Sequence, residues 1–464
     1  RSKNGVLRAT LVAGTGVART PEGSLAGAMT YNGLLPGPML VVRPGDRMLI
    51  RLVNKTPLAT NLHFHGFHVS PKGHQDNVFL QVDPGYTQEY DVRIPEDHAA
   101  GLFWYHPHLH GTVSDQVWGG LAGAILVEGG AADLPEIAPL RRRVLNLRSF
   151  SSSADGGLQP IAKAAVITNV PMVNGMVLPE IDMRPGETQF WQILNADYAT
   201  YFRLSLAGYP MTIVEQDGSM SWWTEEVDSL FMAPGNRFGV LVTAPSEPGV
   251  YPLEQLGFYQ GPFGDARPAT VATVRVQGAR AESVSLSGKL GEPPAYLAQK
   301  PDRHRVLTLS QMTGPNIPPK FMIDGVAYDD FTMDDLITVK LGAVEEWVIR
   351  NASSPLVGQS AESHPFHIHV NDFVVTERGK WNPSTGEILD RKPQNARRSQ
   401  DTASVPPNEY MVFRTKFADF TGRSVYHCHI LPHEDLGMMG AFDIVDADGV
   451  GAGSGQHLHG SMKM

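Results

Sequence analysis

Short runs in which apolar and polar residues alternate follow one another along this chain, broken at close intervals by glycine and proline, and sustained helical periodicity is hard to find. Alternation with a period of two buries one face of a β-strand, so the pattern predicts an all-β protein with many turns. The longest candidate for a continuous apolar segment, "LAGAILV" from Leu121 to Val127, has the length of a buried strand. It falls far short of the ~18 residues of a membrane-spanning helix.

The pattern also repeats. "YNGLLPGPMLVVRPGDRMLIRLVN" from Tyr31, "VNGMVLPEIDMRPGETQFWQILN" from Val173 and "IDGVAYDDFTMDDLITVKLGAVEEWVIRN" from Ile323 each open with Asn/Asp-Gly, pass a turn and end a strand on asparagine. A second set, "GLFWYHPHLHG" from Gly101, "GVYPLEQLG" from Gly249 and "GRSVYHCHILPHE" from Gly422, each runs from a glycine turn into a strand carrying tyrosine. Three related β-domains are expected, which suits 464 residues at the usual ~150 per domain. The boundaries are placed near Gly130 and Arg280: residues 1–130, residues 131–280, a Ser/Gly/Pro-rich linker over 281–303, and residues 304–464 with a flexible tail from about residue 447.

A formal charge of -10 argues against nucleic acid as a partner. The chain opens "RSKNGVLRAT" with no apolar signal core, the pattern of a cytoplasmic protein or of one already processed. One cysteine in the whole sequence rules out an intrachain disulfide, leaving Cys428 as a buried thiol, a nucleophile or a metal ligand.

The histidines change that picture. Ten of the 17 lie in four short motifs: "HFHG" (His63, His65), "HPH" (His106, His108), "HPFHIH" (His364, His367, His369) and "HCHILPH" (His427, His429, His433 around Cys428). Two motifs fall in the first repeat and two in the third, while the second carries "FRLSLAG" and "YPLEQLG" at the matching places. Residues two apart on a strand share a face and sit roughly 6.6 Å apart, so four pairs of imidazoles point together at a spacing suited to neighbouring metals. Cys428 faces away from His427 and His429. His364, His433 and Met438 complete for it a His2Cys set with a weak axial thioether, the ligand chemistry of blue copper.

These motifs resemble those of the multicopper oxidases, in particular the three-domain bacterial laccase-like branch, and the resemblance runs from "YNGLLPGP" to "HEDLGMMG". It implies three cupredoxin-like Greek-key β-sandwiches and four coppers: a type 1 copper in the third domain and a trinuclear cluster shared by the first and third. By resemblance, His364, Cys428, His433 and Met438 are the type 1 ligands and His63 and His367 the type 2 pair. The type 3 coppers take His65, His106 and His429 on one side and His108, His369 and His427 on the other. The middle domain is a copper-free spacer, and Asp76 and Glu434 are the proton-relay candidates.

The implied activity is one-electron oxidation of phenols or aromatic amines coupled to reduction of dioxygen to water. A metal-ion oxidase is the first alternative, weakened because only Met312 falls between Gln255 and Lys320, where some relatives carry a methionine-rich insertion. A copper-binding or structural cupredoxin protein is the second. A copper nitrite reductase is disfavoured, since two-domain subunits are typical there. Export to the periplasm or outside the cell is expected from the resemblance alone. The remaining histidines, His68, His74, His98, His110 and His304, are expected to be hydrogen-bonded or exposed, and the "HLHGSMKM" end to matter little.

Overall fold

The computed structural model describes residues 1–151, 158, 170–259, 266–314, 317–352 and 361–449. The "HLHGSMKM" end lies outside them.

Six β-sheets form three pairs, so the all-β expectation holds. In the first pair, one sheet runs in the order Gly23–Tyr31, Val6–Thr20, Arg47–Lys55, Thr87–Arg93; the other runs Gly37–Val42, Gly123–Val127, Gly101–His106, His63–His65. Alternation behaves as predicted: in Arg47–Lys55 the side chains of Met48, Ile50, Leu52 and Asn54 are buried, and Arg47, Arg51 and Lys55 are exposed. Val6–Gly14 lies parallel to Arg47–Lys55, and Gly37–Val42 parallel to Gly123–Val127. From Gly23–Tyr31 to Gly101–His106 each successive strand crosses to the other sheet, which is Greek-key connectivity.

The repeat has a physical basis in its two invariant punctuation marks. Asn32-Gly33, Asn174-Gly175 and Asp324-Gly325 all adopt positive φ at both residues, the geometry of a tight hairpin turn. In each, the side-chain oxygen accepts the backbone N–H of Val12, Asn146 or Thr308, at 2.7, 2.8 and 2.7 Å, tying the turn to a neighbouring strand. The strand-ending asparagines are equally consistent. Asn54, Asn195 and Asn351 are fully buried, and each amide nitrogen donates to two backbone carbonyls.

The second sheets of the three pairs share four strands in one order, and the second and third sandwiches add a fifth at the edge. Gly101–His106 with His63–His65 matches Gly249–Gln255 with Phe202–Leu206, and both match Gly422–Cys428 with His364–Ile368. The stretch read as a linker has no strand, yet it is bound along the middle sandwich: Val284 N–H donates to Thr188 Oγ1 at 2.9 Å and Leu290 N–H to the Trp222 carbonyl at 2.9 Å. Among the described residues no helix is long and apolar enough to cross a membrane.

Candidate metal centre

All ten histidines of the four motifs are buried, and so is Cys428. Antiparallel pairing sets His63 opposite His106 in the first sandwich and His367 opposite His427 in the third. The two strand pairs face one another across the domain boundary. His63 stacks on His369 and His65 on His367, both with ring centroids 4.0 Å apart. Strict alternation explains only part of this, because each His-x-His pair after the first straddles a strand end: His108, His369 and His429 lie just beyond the strands ending at His106, Ile368 and Cys428. Local hydrogen bonds place two of them. His108 N–H donates to Asn61 Oδ1 at 2.6 Å, and His429 N–H to the Pro365 carbonyl at 2.7 Å.

Most outward ring nitrogens have partners, while the inward ones do not. His63 Nδ1 lies 2.9 Å from Asp76, His106 Nδ1 2.8 Å from the Pro107 carbonyl, and His367 Nδ1 2.8 Å from the Asp401 carbonyl. Their Nε2 atoms are buried with no hydrogen-bond partner, as are both ring nitrogens of His429. His108, His369 and His427 converge through Nε2, at 3.1 and 3.2 Å. Buried polar atoms left unpaired are costly, about 1–3 kcal/mol each, so this many in one place marks a site built for an electrophile. Burial also pushes His63, His65, His367, His369 and His429 well below the usual imidazole range, and His106 to about 3 and His108 to about 4. A neutral imidazole is the form that binds a metal.

The second cluster is separate. Cys428 pairs with Phe366 across the sheet and points away from its two neighbours, to where His364 Nδ1 lies 3.6 Å and His433 Nδ1 3.7 Å from its sulfur. Met438 is fully buried in the same core cluster, and its carbonyl accepts the Cys428 N–H at 3.0 Å. Met439 faces a different cluster, with Val78 and Tyr328. Phe321 stacks on His433 at 4.0 Å. Burial raises the Cys428 thiol well above its ordinary value, so its deprotonation requires a cation beside it.

The two predicted acids are both buried against ligand histidines. Besides holding His63, Asp76 accepts the Phe64 N–H at 2.9 Å, and burial pushes it up to about 8. Glu434 lies 3.1 Å from His427 Nδ1 and 3.5 Å from His108 Nδ1; burial pushes it up, but those imidazoles more than reverse this and hold it at about 2. Asp435 has a structural task instead, accepting Gly111 N–H and Ser114 N–H at 2.7 Å each and so joining the first sandwich to the third.

Sequence reasoning missed three groups. Glu362, 2 % exposed, lies 3.0 Å from His433 Nε2. Asp401 Oδ1 lies 3.1 Å from His65 Nε2, and Arg237 grips the Asp401 carboxylate. Gly235 sits against the rings of His65 and His429. Arg237 and Gly235 come from the middle sandwich, which thus reaches the histidine cluster of the other two. No motif marks them, because each is defined by a partner distant in the sequence, such as His65 for Asp401 and His433 for Glu362. The remaining histidines are hydrogen-bonded elsewhere, His68 to the Val370 carbonyl, His74 to Gln88, His98 to the Ala99 carbonyl, His110 to Asp329 and His304 to Glu346.

Family profiles agree with this geometry. Three profiles described as multicopper oxidase match residues 15–132, 144–279 and 302–448. The chain belongs to the multicopper oxidase family. It is similar to a multicopper oxidase of Staphylococcus haemolyticus, 25% identical over 96% of this chain and 90% of that one. It is 24% identical to a laccase of Bacillus subtilis, over 90% of each chain. Among solved structures, a Campylobacter jejuni multicopper oxidase described as a metallo-oxidase superposes with a TM-score of 0.79 at 26% identity, over 96% of this chain and 92% of that one. The three sandwiches are cupredoxin-like, as in this family, and copper is the family's cofactor.

Proposed function

We propose that this multicopper oxidase is laccase-like, oxidising phenols and aromatic amines with dioxygen as the acceptor. The observation that carries the proposal is the two-sided strand at Cys428: its side chain joins one ligand set, and those of His427 and His429 join the other. On this reading His364, Cys428, His433 and Met438 hold the type 1 copper. His63 and His367 hold type 2; His65, His106, His429 and His108, His369, His427 hold the type 3 pair, four coppers in all. Bound there, copper supplies one-electron oxidation of the donor and four-electron reduction of dioxygen to water.

The protein's own part is positional. Backbone on both sides of Cys428 links the two sites covalently, so an electron entering at one has a short bonded route to the other. Burial excludes water from both sites and holds His106, His108, His364 and His433 far below the usual imidazole range, so these four are neutral. Asp76, pushed up to about 8, holds a proton at the carboxyl oxygens facing His63, and Glu434, a carboxylate, accepts and passes one beside His427, where dioxygen reduction consumes protons. Asp76→Asn and Glu434→Gln are each expected to slow dioxygen reduction at saturating donor while leaving the blue absorption intact; unchanged turnover removes that acid from the mechanism.

One observation favours a second reading, metal-ion oxidation. The Glu362 carboxylate beside His433 is a hard oxygen donor at the electron-entry side, which suits a cation better than a phenol. Specificity constants for a methoxyphenol and for cuprous ion, on the copper-loaded enzyme, decide between them. A much larger value for cuprous ion overturns the laccase reading. An empty, colourless protein overturns the oxidase reading as a whole. The proposal places the enzyme outside the cytoplasm, following the laccase-like resemblance.

A further inference from the structure

We infer that Arg237, supplied by the copper-free middle sandwich, is a positioning residue that fixes which nitrogen of His65 faces the trinuclear centre. The inference rests on the copper assignments proposed above.

Among the cluster imidazoles His65 is arranged in reverse. His63, His106 and His367 occupy Nδ1 with an outward partner and leave Nε2 inward. His65 Nε2 instead points at Asp401 Oδ1, 3.1 Å away, and Nδ1 is its buried, unpartnered atom. A carboxylate accepts, so His65 carries its proton on Nε2 and offers the Nδ1 lone pair. The orientation of His65 is therefore set by the orientation of Asp401.

Asp401 is in turn held by a fork. Arg237 donates from Nη1 to Oδ1 at 2.9 Å and from Nη2 to Oδ2 at 2.7 Å, a bidentate pair that fixes the carboxylate plane as well as its position. The fork is itself anchored: Nε donates to the Leu102 carbonyl of the first sandwich at 3.1 Å, Nη1 to the Gly235 carbonyl at 3.1 Å, and the Arg237 N–H to Asp217 at 2.9 Å. Both charged groups are buried, Arg237 at 0% and Asp401 at 3% exposure. A Cβ at Gly66, the residue after His65, would strike Arg237 Nη2 and Asp401 Oδ2, so the chain is cut back to glycine where the pair passes.

Asp401 acts on a second ligand through its main chain. Its carbonyl accepts from His367 Nδ1 at 2.8 Å, and Thr402 Oγ1 bridges to Asp401 Oδ1 at 2.9 Å. One arginine of the middle sandwich thus fixes a residue that orients one imidazole from the first sandwich and one from the third. Lysine at this position would keep the charge and lose the fork.

The test uses the full chain, copper-loaded, as wild type, Arg237→Lys, Arg237→Met and Asp401→Asn. Each is titrated with a copper chelator while the blue absorption of type 1 and the near-ultraviolet absorption of the type 3 pair are followed separately. The expected result is a type 3 affinity reduced about 10- to 100-fold, the usual effect of removing a partner of a metal ligand, with type 1 copper unchanged. Arg237→Lys should fold, retaining the buried charge, and lose affinity for want of the second hydrogen bond. The inference is overturned if the variants track wild type in the type 3 titration. It is equally overturned if type 1 and type 3 copper are lost in parallel with a lowered thermal midpoint, which is what a mere interdomain strut would give. A wild-type chain showing neither absorption defeats the proposed function instead.

Discussion

A single methyl group placed at Gly235 tests whether the middle sandwich shapes the metal centre. Pro234 and Gly235 are the central residues of a turn closed by the Asn236 N–H on the Ala233 carbonyl at 3.1 Å, and Gly235 has φ +89. A Cβ there would stand 3.1 Å from His65 Cε1 and 3.2 Å from His429 Cδ2 and Nε2. Gly235→Ala therefore carries two costs. The positive φ costs about 1–2 kcal/mol for an L side chain, which in a domain of this size lowers the thermal midpoint by about 2–8 °C. The contacts add a displacement of the His65 and His429 imidazoles by a few tenths of an ångström. Gly208→Ala is the matched control, with φ +80 and nothing within 4 Å of its Cβ. Both variants should lose similar thermal stability, measured by calorimetry. Only Gly235→Ala should lose type 3 copper and dioxygen consumption, by about 10- to 100-fold. If the two are indistinguishable in copper content and turnover, the middle sandwich does not constrain the ligands, and the reasoning is wrong.

Cys428→Ser should abolish the blue absorption and donor oxidation while the type 3 absorption survives, since the two ligand sets share only backbone at this strand; retained blue colour refutes the assignment. Met438→Leu should raise the reduction potential of the type 1 copper, because a thioether donor favours the oxidised metal. Met439→Leu, packed in another cluster, should not move it in the same redox titration. Burial lowers His98 to about 4 from a usual 6.5. Its folded pKa is depressed, so the stability it contributes is complete above pH 6.5 and is lost as the pH falls toward 4. His98→Gln should flatten the thermal midpoint against pH across that window, and an unchanged slope refutes the linkage.

The elements easiest to read were those with local causes. Alternation marks strands such as Arg47–Lys55, and Asn32-Gly33 with its two counterparts marks the repeated turn, because a tight hairpin needs positive φ at both central residues. The four histidine motifs were legible because the imidazoles that gather in each cluster come in pairs from one strand or its end. His108 and His429 show the limit of strand alternation, since each lies past a strand end and is aimed by one backbone hydrogen bond. Asp401, Arg237 and Glu362 carried no signal. An aspartate that serves His65 from 336 positions away gives no periodicity and no spacing to find.

The equivalence of the three sandwiches explains why the centre lies between the first and third. Each second sheet offers the same strand pair, and only two of the three pairs carry imidazoles. A cluster built on one pair would have ligands on one side and open solvent on the other. Stacking two pairs face to face closes it, with His63 on His369 and His65 on His367 as the seam. Such a seam needs its two halves held at one spacing, and Asp435 ties them directly through the Gly111 and Ser114 N–H groups. A neighbour that touches both adds a second grip, close to the imidazoles themselves. Arg237 reaches the Leu102 carbonyl on one side and Asp401 on the other, and Gly235 comes close enough to the rings to bar their movement without touching a metal. A sandwich stripped of histidines is therefore suited to this position: its lack of ligands leaves its side chains available to fix those of its neighbours.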